Sequence, residues 1–211
     1  MIIALESASS DPSLALADPD GSAFAVDGWT GAGRQASELL PRLEALLESA
    51  HRELGEATAI AVGVGPGSFT GLRVSMSLAK GMAFALGVPV VGVPSLAAWL
   101  EGEPAAGAAI ARAGAQDAFV LIRGEAEPRV VQAPELASIA GLTQVVAPSE
   151  LAASFGLTQA LPPHAAAAAV ARMAAGRLAT DPRGDDLETL EPSYLRAPRG
   201  IGSPGVVATW R

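Results

Sequence analysis

Apolar positions change their spacing several times along the chain, and each change predicts an element. Residues 2–5, 13–17 and 23–26 are short apolar segments separated by "SSDP" and "DPDG". Both separators carry turn chemistry, so the opening predicts an antiparallel three-stranded meander. From Ala36 the apolar residues fall three and four apart (Leu39, Leu40, Leu43, Leu46, Leu47) with charges between, the stripe of an amphipathic helix. "TAIAVGVG" reads as a strand buried on both faces, residues 70–86 as a second helix, and "GVPVVGVPS" as another buried strand that leads into a short helix at Ser95. A meander followed by strand–helix crossovers predicts a mixed sheet covered by helices.

Beyond residue 100 the pattern is weaker. Residues 108–113, 118–123, 129–131 and 145–147 are predicted strands, and residues 163–178 an alanine-rich helix entered through Pro162 and Pro163. "EGEPAAG", residues 101–107, concentrates polar, proline and glycine residues and marks a lobe boundary. The predicted division is a first lobe over 1–100, completed by the C-terminal segment 186–211, and a smaller second lobe over 101–185. No repeat of solenoid period is visible.

Composition narrows the functional classes. Half of the 211 residues are apolar, 17% are charged and 4% aromatic, so a folded core of small, closely approaching elements is expected. The chain has no cysteine, which excludes disulfides, thiol nucleophiles and cysteine-ligated metals. A formal charge of −8 disfavours unaided contact with nucleic acid or an anionic membrane. The start, Met-Ile-Ile-Ala-Leu-Glu, has no basic leader region, and residues 165–175 carry Arg172 and fall short of the about 20 residues of a membrane span. A cytoplasmic location without membrane attachment is expected.

The stretch "GVGPGSFTGLR", residues 63–73, is the densest candidate for chemistry. Leu72 and Arg73 follow Gly71 where a Walker loop needs lysine and a hydroxyl, and Ser68 stands where a dinucleotide fingerprint needs its third glycine. What survives is a strand that turns through Gly65-Pro66-Gly67 into a helix capped by Ser68 or Thr70. Amides at such a start either bind an anion, with Ser68, Thr70 and Gly71 as its contacts, or are satisfied by the cap alone. The two histidines, His51 and His164, form no metal-ligand pair and read as solvated surface residues. "GPGSF" lacks the second glycine of a serine nucleophile elbow. Asp11-Pro12 and Asp18-Pro19 read as ordinary turn starters, whereas Glu6, at the end of the first strand, stands apart.

The second helix is apolar or small nearly all round: Leu72, Val74, Met76, Leu78, Ala79, Met82, Ala83, Ala85 and Leu86, with Ser75, Ser77 and Gly81 among them. A helix apolar on every face is buried on every face. One side is expected to cover the sheet and the other to meet a second chain or lobe, and Ser77, Gly81 and Ala85, spaced four apart, would let another helix approach closely. The candidate interface is Leu39, Leu43, Arg73, Met76, Ser77, Lys80, Gly81, Met82 and Ala85, with Arg73 and the sole lysine, Lys80, at its edge.

"GVGPGSFTGLRVSMSLAKGMAFALGVPVVGVPSL", residues 63–96, resembles the signature region of the bacterial TsaB (YeaZ) family, and "EPSYLR", residues 191–196, resembles its C-terminal motif. The resemblance runs from Met1 to about Leu100 and thins from 101 to 185. It implies a two-lobed α/β fold of the actin, sugar-kinase and Hsp70 type. It further implies a non-catalytic subunit that supports TsaD, together with TsaE, in threonylcarbamoyl modification of the adenosine beside the tRNA anticodon. ATP and metal then belong to partner subunits, no cofactor binds this chain alone, tRNA is met only indirectly, and the first two helices pair with TsaD or, in its absence, with a second copy. The metalloprotease reading is rejected, because the metal-binding histidine motif of TsaD is absent. Two departures stand out: Glu6-Ser7-Ala8 replaces an Asp-Thr-Ser sequence, and "ARAGAQDAF", residues 111–119, replaces a "DAR" strand start. The longer carboxylate disfavours metal-assisted nucleotide chemistry. The alternatives are a small-molecule kinase of the same fold and a homodimeric interaction module with another client.

Overall fold

The computed structural model describes residues 1–31 and 34–193. Strands β1 (Ile2–Glu6), β2 (Ser13–Ala17) and β3 (Ala23–Gly28) form the expected antiparallel meander. Helix α1 (Gln35–Ser49) crosses to β4 (Ala59–Gly63), which pairs in parallel with β1, and α2 (Phe69–Leu86) crosses to β5 (Val90–Val93), parallel to β4. The sheet order is β3-β2-β1-β4-β5.

Side-chain size differs between the two faces of this sheet. Ile3, Leu5, Leu14, Leu16, Ile60 and Val62 point toward α1 and α2 and meet Leu39, Leu43, Met76 and Met82 in one core. Ala4, Ala15, Ala17, Ala59 and Ala61 point the other way, with Ile2. Small residues on that face let α6 (Ala166–Thr180) lie close against it through Ala167, Val170, Ala171 and Ala174. The low aromatic and high alanine content therefore describes this helix–sheet contact.

Helix α3 (Ser95–Gly102) leads into a second sheet of β6 (Ala108–Arg112), β7 (Asp117–Ile122), β8 (Arg129–Gln132) and β9 (Val145–Val146). Its order, β8-β7-β6-β9, with β6–β7–β8 antiparallel and β9 parallel to β6, repeats the β3-β2-β1-β4 part of the first sheet. Helix α4 (Ala133–Leu142) takes the place of α1 in the repeat, and α5 (Ser149–Phe155) follows β9. The fold is thus the two-lobed α/β type with mixed sheets flanked by helices.

A lobe boundary and a helix differ from expectation. Helix α6 lies in the 101–185 segment assigned to the second lobe, yet it packs on the first sheet, because its alanine face matches the small face of β1, β2 and β4. The first helix of the repeat, α4, is not predicted, since Ala133-Pro134 opens a segment without a clear stripe. Of the C-terminal segment, residues 186–193 run along the first lobe: Leu187 and Leu190 pack on its core, and the Ser193 amide donates to the Val64 carbonyl at 2.7 Å. The remainder of the "EPSYLR" motif from Tyr194 lies outside the described residues.

An apolar cluster joins the lobes. Trp99 and Leu96 of α3 meet Leu72 of α2 on one side and Ala109, Phe119 and Leu121 of the second sheet on the other. Arg123 caps this junction by donating to the carbonyls of Leu100, Glu103 and Ala106 at 2.7, 2.9 and 2.8 Å.

Candidate functional site

The glycine-rich corner is closed by its own chain. After β4 the backbone passes through a cis Gly65–Pro66 peptide and enters α2 with Ser68 as N-cap, its hydroxyl accepting from the Gly71 amide at 3.2 Å. The Ser68 amide donates to the Ala8 carbonyl at 2.6 Å, and the Ser7 hydroxyl donates to the Gly71 carbonyl at 2.7 Å. A Cβ at Gly67 would stand 2.1 Å from the Ala8 carbonyl oxygen, and one at Gly71 2.0 Å from that of Ser7. These glycines are therefore needed for a close approach of two backbones. Of the three candidate anion contacts, Ser68 lines the cleft between the lobes, Gly71 is buried against Ser7, and Thr70 faces outward beside Arg73. The three do not converge on one point, because Ser68 and Gly71 amides already have acceptors within the chain.

The cleft itself has a volume of about 340 Å³, with Ser9, Ser10, Ser68 and Phe69 on the first lobe facing Arg112, Glu150 and Leu151 on the second. Glu6 does not line it. Its side chain is buried beneath the corner, where a Cβ at Gly63 would lie against Oε2 and 2.8 Å from the Ser95 hydroxyl. Oε1 accepts from the Ala8 amide at 2.7 Å. Among the described residues, neither Glu6 Oε2 nor the neighbouring Trp99 Nε1 has a hydrogen-bond partner of good geometry. Burial pushes the Glu6 carboxyl up to about 7, while the Ala8 amide and then the nearby Ser95 and Trp99 pull the other way. A carboxyl so placed is poorly suited to hold a metal-bound phosphate. Among the described residues no group of three or more His, Asp or Glu side chains is arranged to hold a metal ion.

Helix α2 presents a second surface to solvent. Arg73, Ser77, Gly81 and Ala85 are exposed along one stripe, as the spacing predicts. Arg73 stacks over the Phe69 ring, 3.9 Å from its centroid. A Cβ at Gly81 would meet no atom within 4 Å. Four other candidates are corrected: Leu39, Leu43, Met76 and Met82 are buried in the chain's own core and cannot meet a partner. They lie on the sheet side of α1 and α2, opposite the small stripe. Lys80 is turned toward the C-terminal segment and donates to the Leu190 carbonyl at 3.2 Å.

Two exposed apolar side chains were missed by sequence reasoning: Phe84 on α2, 80% exposed, and Leu40 on α1, 45% exposed. The helical period signals both, since Phe84 follows Gly81 by three and Leu40 lies next to the inward Leu39. Phe84 is the largest apolar departure from solvent avoidance among the described residues.

Asp11 and His164 also differ from expectation. Asp11 is fully buried, and its Oδ1 accepts from Thr30 Oγ1 at 2.6 Å and Ser149 Oγ at 3.0 Å, with His164 Nε2 at 3.4 Å. His164 is accordingly only partly solvated, whereas His51, in left-handed backbone at the end of α1, is exposed as expected. The two hydroxyls give their protons to Asp11 and not to the imidazole, so the cluster ties elements together without activating a nucleophile.

The chain is thus a two-lobed α/β protein with a glycine corner filled by its own backbone and a helix face open to solvent. Sequence comparison adds the relatives. The profile of the family described as "TsaD: tRNA N6-adenosine threonylcarbamoyltransferase" matches residues 31–120. The "tRNA threonylcarbamoyladenosine biosynthesis protein TsaB" of Haemophilus influenzae is 40% identical over 63 residues, covering 30% of this chain and 27% of that protein. The protein of the same name from Escherichia coli is 36% identical over 64 residues, covering 30% and 28%. The matches thus span little more than a quarter of those relatives' length. The solved structure described as "YeaZ from Pseudomonas aeruginosa" superposes with a TM-score of 0.63 at 25% identity, covering 92% of this chain and 99% of that one. A second Pseudomonas aeruginosa structure, titled as an uncharacterized protein with similarity to peptidase YEAZ, gives 0.67 at 27% identity over the same shares. Over part of its sequence, and in its fold, this chain is similar to the TsaB and YeaZ proteins.

Proposed function

We propose that this chain is a non-catalytic subunit in the biosynthesis of tRNA threonylcarbamoyladenosine, and that it works by binding and supporting a TsaD-type transferase. The observation that carries this reading is the exposed face of α2, where Phe84 stands beside a flat stripe of Ser77, Gly81 and Ala85. The flat stripe admits a second helix at short distance, and Phe84 supplies an aromatic anchor of the kind that dominates interface energies. Arg73 over Phe69 marks one end of the face, and Leu40 of α1 extends it sideways. In this reading TsaE joins through the complex, ATP and metal are held by partner subunits, tRNA is contacted only through them, and a second copy of this chain occupies the face when TsaD is absent. The site of action is the cytoplasm.

The self-filled corner and the sequestered Glu6 support a non-catalytic role, since the groups that a kinase of this fold would turn toward phosphate and metal are engaged elsewhere. The test is co-purification with TsaD from the same organism. Phe84→Ala is expected to weaken the complex by at least tenfold, and Gly81→Trp to abolish it, with the melting temperature of the isolated chain retained. Wild-type affinity in both variants refutes this face as the binding surface. Micromolar binding of Mg-ATP to the chain alone, read by calorimetry, would instead support the kinase alternative.

A further inference from the structure

We infer that Asp11 is an inter-lobe latch that sets the width of the cleft, so that the two lobes move as one body. Asp11 lies in the connection between β1 and β2 of the first lobe, yet its strongest partner is the first residue of α5, beyond the second sheet. Ser149 donates twice: its amide to Oδ2 at 2.6 Å and its hydroxyl to Oδ1 at 3.0 Å. Thr30 Oγ1, just after β3, donates to Oδ1 at 2.6 Å. Ser10 Oγ lies 3.4 Å from Oδ2, and His164 Nε2, in the segment leading to α6, 3.4 Å from Oδ1. Four segments from both lobes thus converge on one carboxylate with no exposure to solvent.

The position of this group relates it to the cleft. Its neighbours Ser9 and Ser10 form part of one wall, and the neighbours of Ser149, Pro148 and Glu150, part of the other. The Asp11–Ser149 pair therefore closes the cleft at its base, and any widening must first separate them. Two charge-assisted bonds to a buried carboxylate resist that separation strongly, because a parted Asp11 would be left with donors from one lobe only. The apolar cluster around Trp99 is a second contact between the lobes. Ser13, two residues beyond Asp11, accepts from the Ala167 amide at 3.0 Å and fixes the same connection to α6 within the first lobe. A transferase or kinase that closes over its substrate needs a cleft of variable width. A cleft held at one width suits a scaffold.

Ser149→Pro separates this role from mere folding. Residue 149 is the first of α5, where proline is accepted, and Pro148 before it is already extended (φ −57°, ψ 142°). The substitution removes both donors and keeps the helix start. The chain has no native cysteine, so single cysteines at exposed Glu48 in α1 and Glu127 between β7 and β8 accept spin labels without background. Pulsed electron–electron resonance on the full chain reads the distance between them. A single narrow distribution is expected for the parent and for Ser149→Ala, which keeps the amide, and at least a twofold broader one for Ser149→Pro. Asp11→Asn, which sets an amide group against the Ser149 donors, is the second variant and is expected to broaden the distribution likewise. Circular dichroism establishes that each variant is folded. Parental width in a folded Ser149→Pro or Asp11→Asn chain, or a broad distribution in the parent itself, overturns the latch.

Discussion

Replacing Glu6 by glutamine should make the protein more stable at alkaline pH and remove a pH dependence that the parent shows near neutrality. The folded-state carboxyl titrates at about 7 against an ordinary value of 4.5, and burial is the first cause. In the interval between those values the native protein holds a proton that the unfolded chain has released. The stabilising contribution of neutral Glu6 is therefore complete below 4.5 and is lost as pH rises through about 7. At 1.36 kcal/mol per pH unit, the full swing is about 3 kcal/mol, a large share of a typical domain's stability. Glutamine mimics the protonated acid: its oxygen still accepts from the Ala8 amide, and its amide nitrogen replaces the oxygen that lacks a partner. Urea unfolding of parent and variant at pH 5, 6, 7, 8 and 9 gives the difference in free energy directly. Because other titrating groups are common to both proteins, they cancel in that difference. The curve should be flat below about pH 4.5, rise in favour of glutamine by about 3 kcal/mol as pH increases to about 7, and level off above that. Trp99 fluorescence, beside the carboxyl, should follow the same midpoint in the native parent. A difference that is constant across pH, or one that falls as pH rises, refutes a neutral buried Glu6.

Three further outcomes follow from the packing. Gly71→Ala forces a methyl group to within 2.0 Å of the Ser7 carbonyl oxygen and should cost about 3 kcal/mol or more in urea unfolding, since a backbone must move to relieve it. Gly81→Ala meets no atom within 4 Å and should raise stability by about 0.5–1 kcal/mol, seen as a melting-point increase of a few degrees. Trp99→Ala empties the cluster shared by the two lobes and should cost about 3–5 kcal/mol, with fluorescence from Trp29 and far-UV dichroism still reporting one common transition.

Elements with a strong period were legible in the sequence, and those shaped by tertiary contacts were not. The meander, α1, α2 and the parallel crossovers lie where the apolar spacing puts them, within one or two residues at their ends. All four strands of the second sheet were also placed, but their shared topology with the first sheet was invisible because no residue identities repeat. Helix α5 went unseen: seven residues opened by Pro148 carry no stripe, and Asp11, which holds its first amide, is 138 residues away. The same long range hid Asp11 behind an ordinary Asp-Pro turn. In α2 the period showed that two faces existed but not which residue belonged to which. Met76 and Met82 look as suited to an interface as Ser77 and Gly81 until the sheet is placed, and then the larger side chains fill the core.

The corner and the latch occupy one continuous connection, and this relates the face of α2 to the cleft. Residues 7 to 11 first receive α2, through Ser7 and Ala8 against Gly71, Gly67 and Ser68, and three residues later hold α5 through Asp11. The close backbone approach leaves no slack between α2 and this connection, because a displacement of a few tenths of an ångström would already bring Cα hydrogens of the glycines against carbonyl oxygens. Force applied to α2 by a bound partner is thus delivered to a segment anchored in both lobes. With the Glu6 side chain buried beneath, its Oε1 accepting from the Ala8 amide, the same connection is supported from the interior of the first lobe. The glycines of this corner therefore serve rigidity: they permit the contact distance at which helix, connection and second lobe behave as one solid.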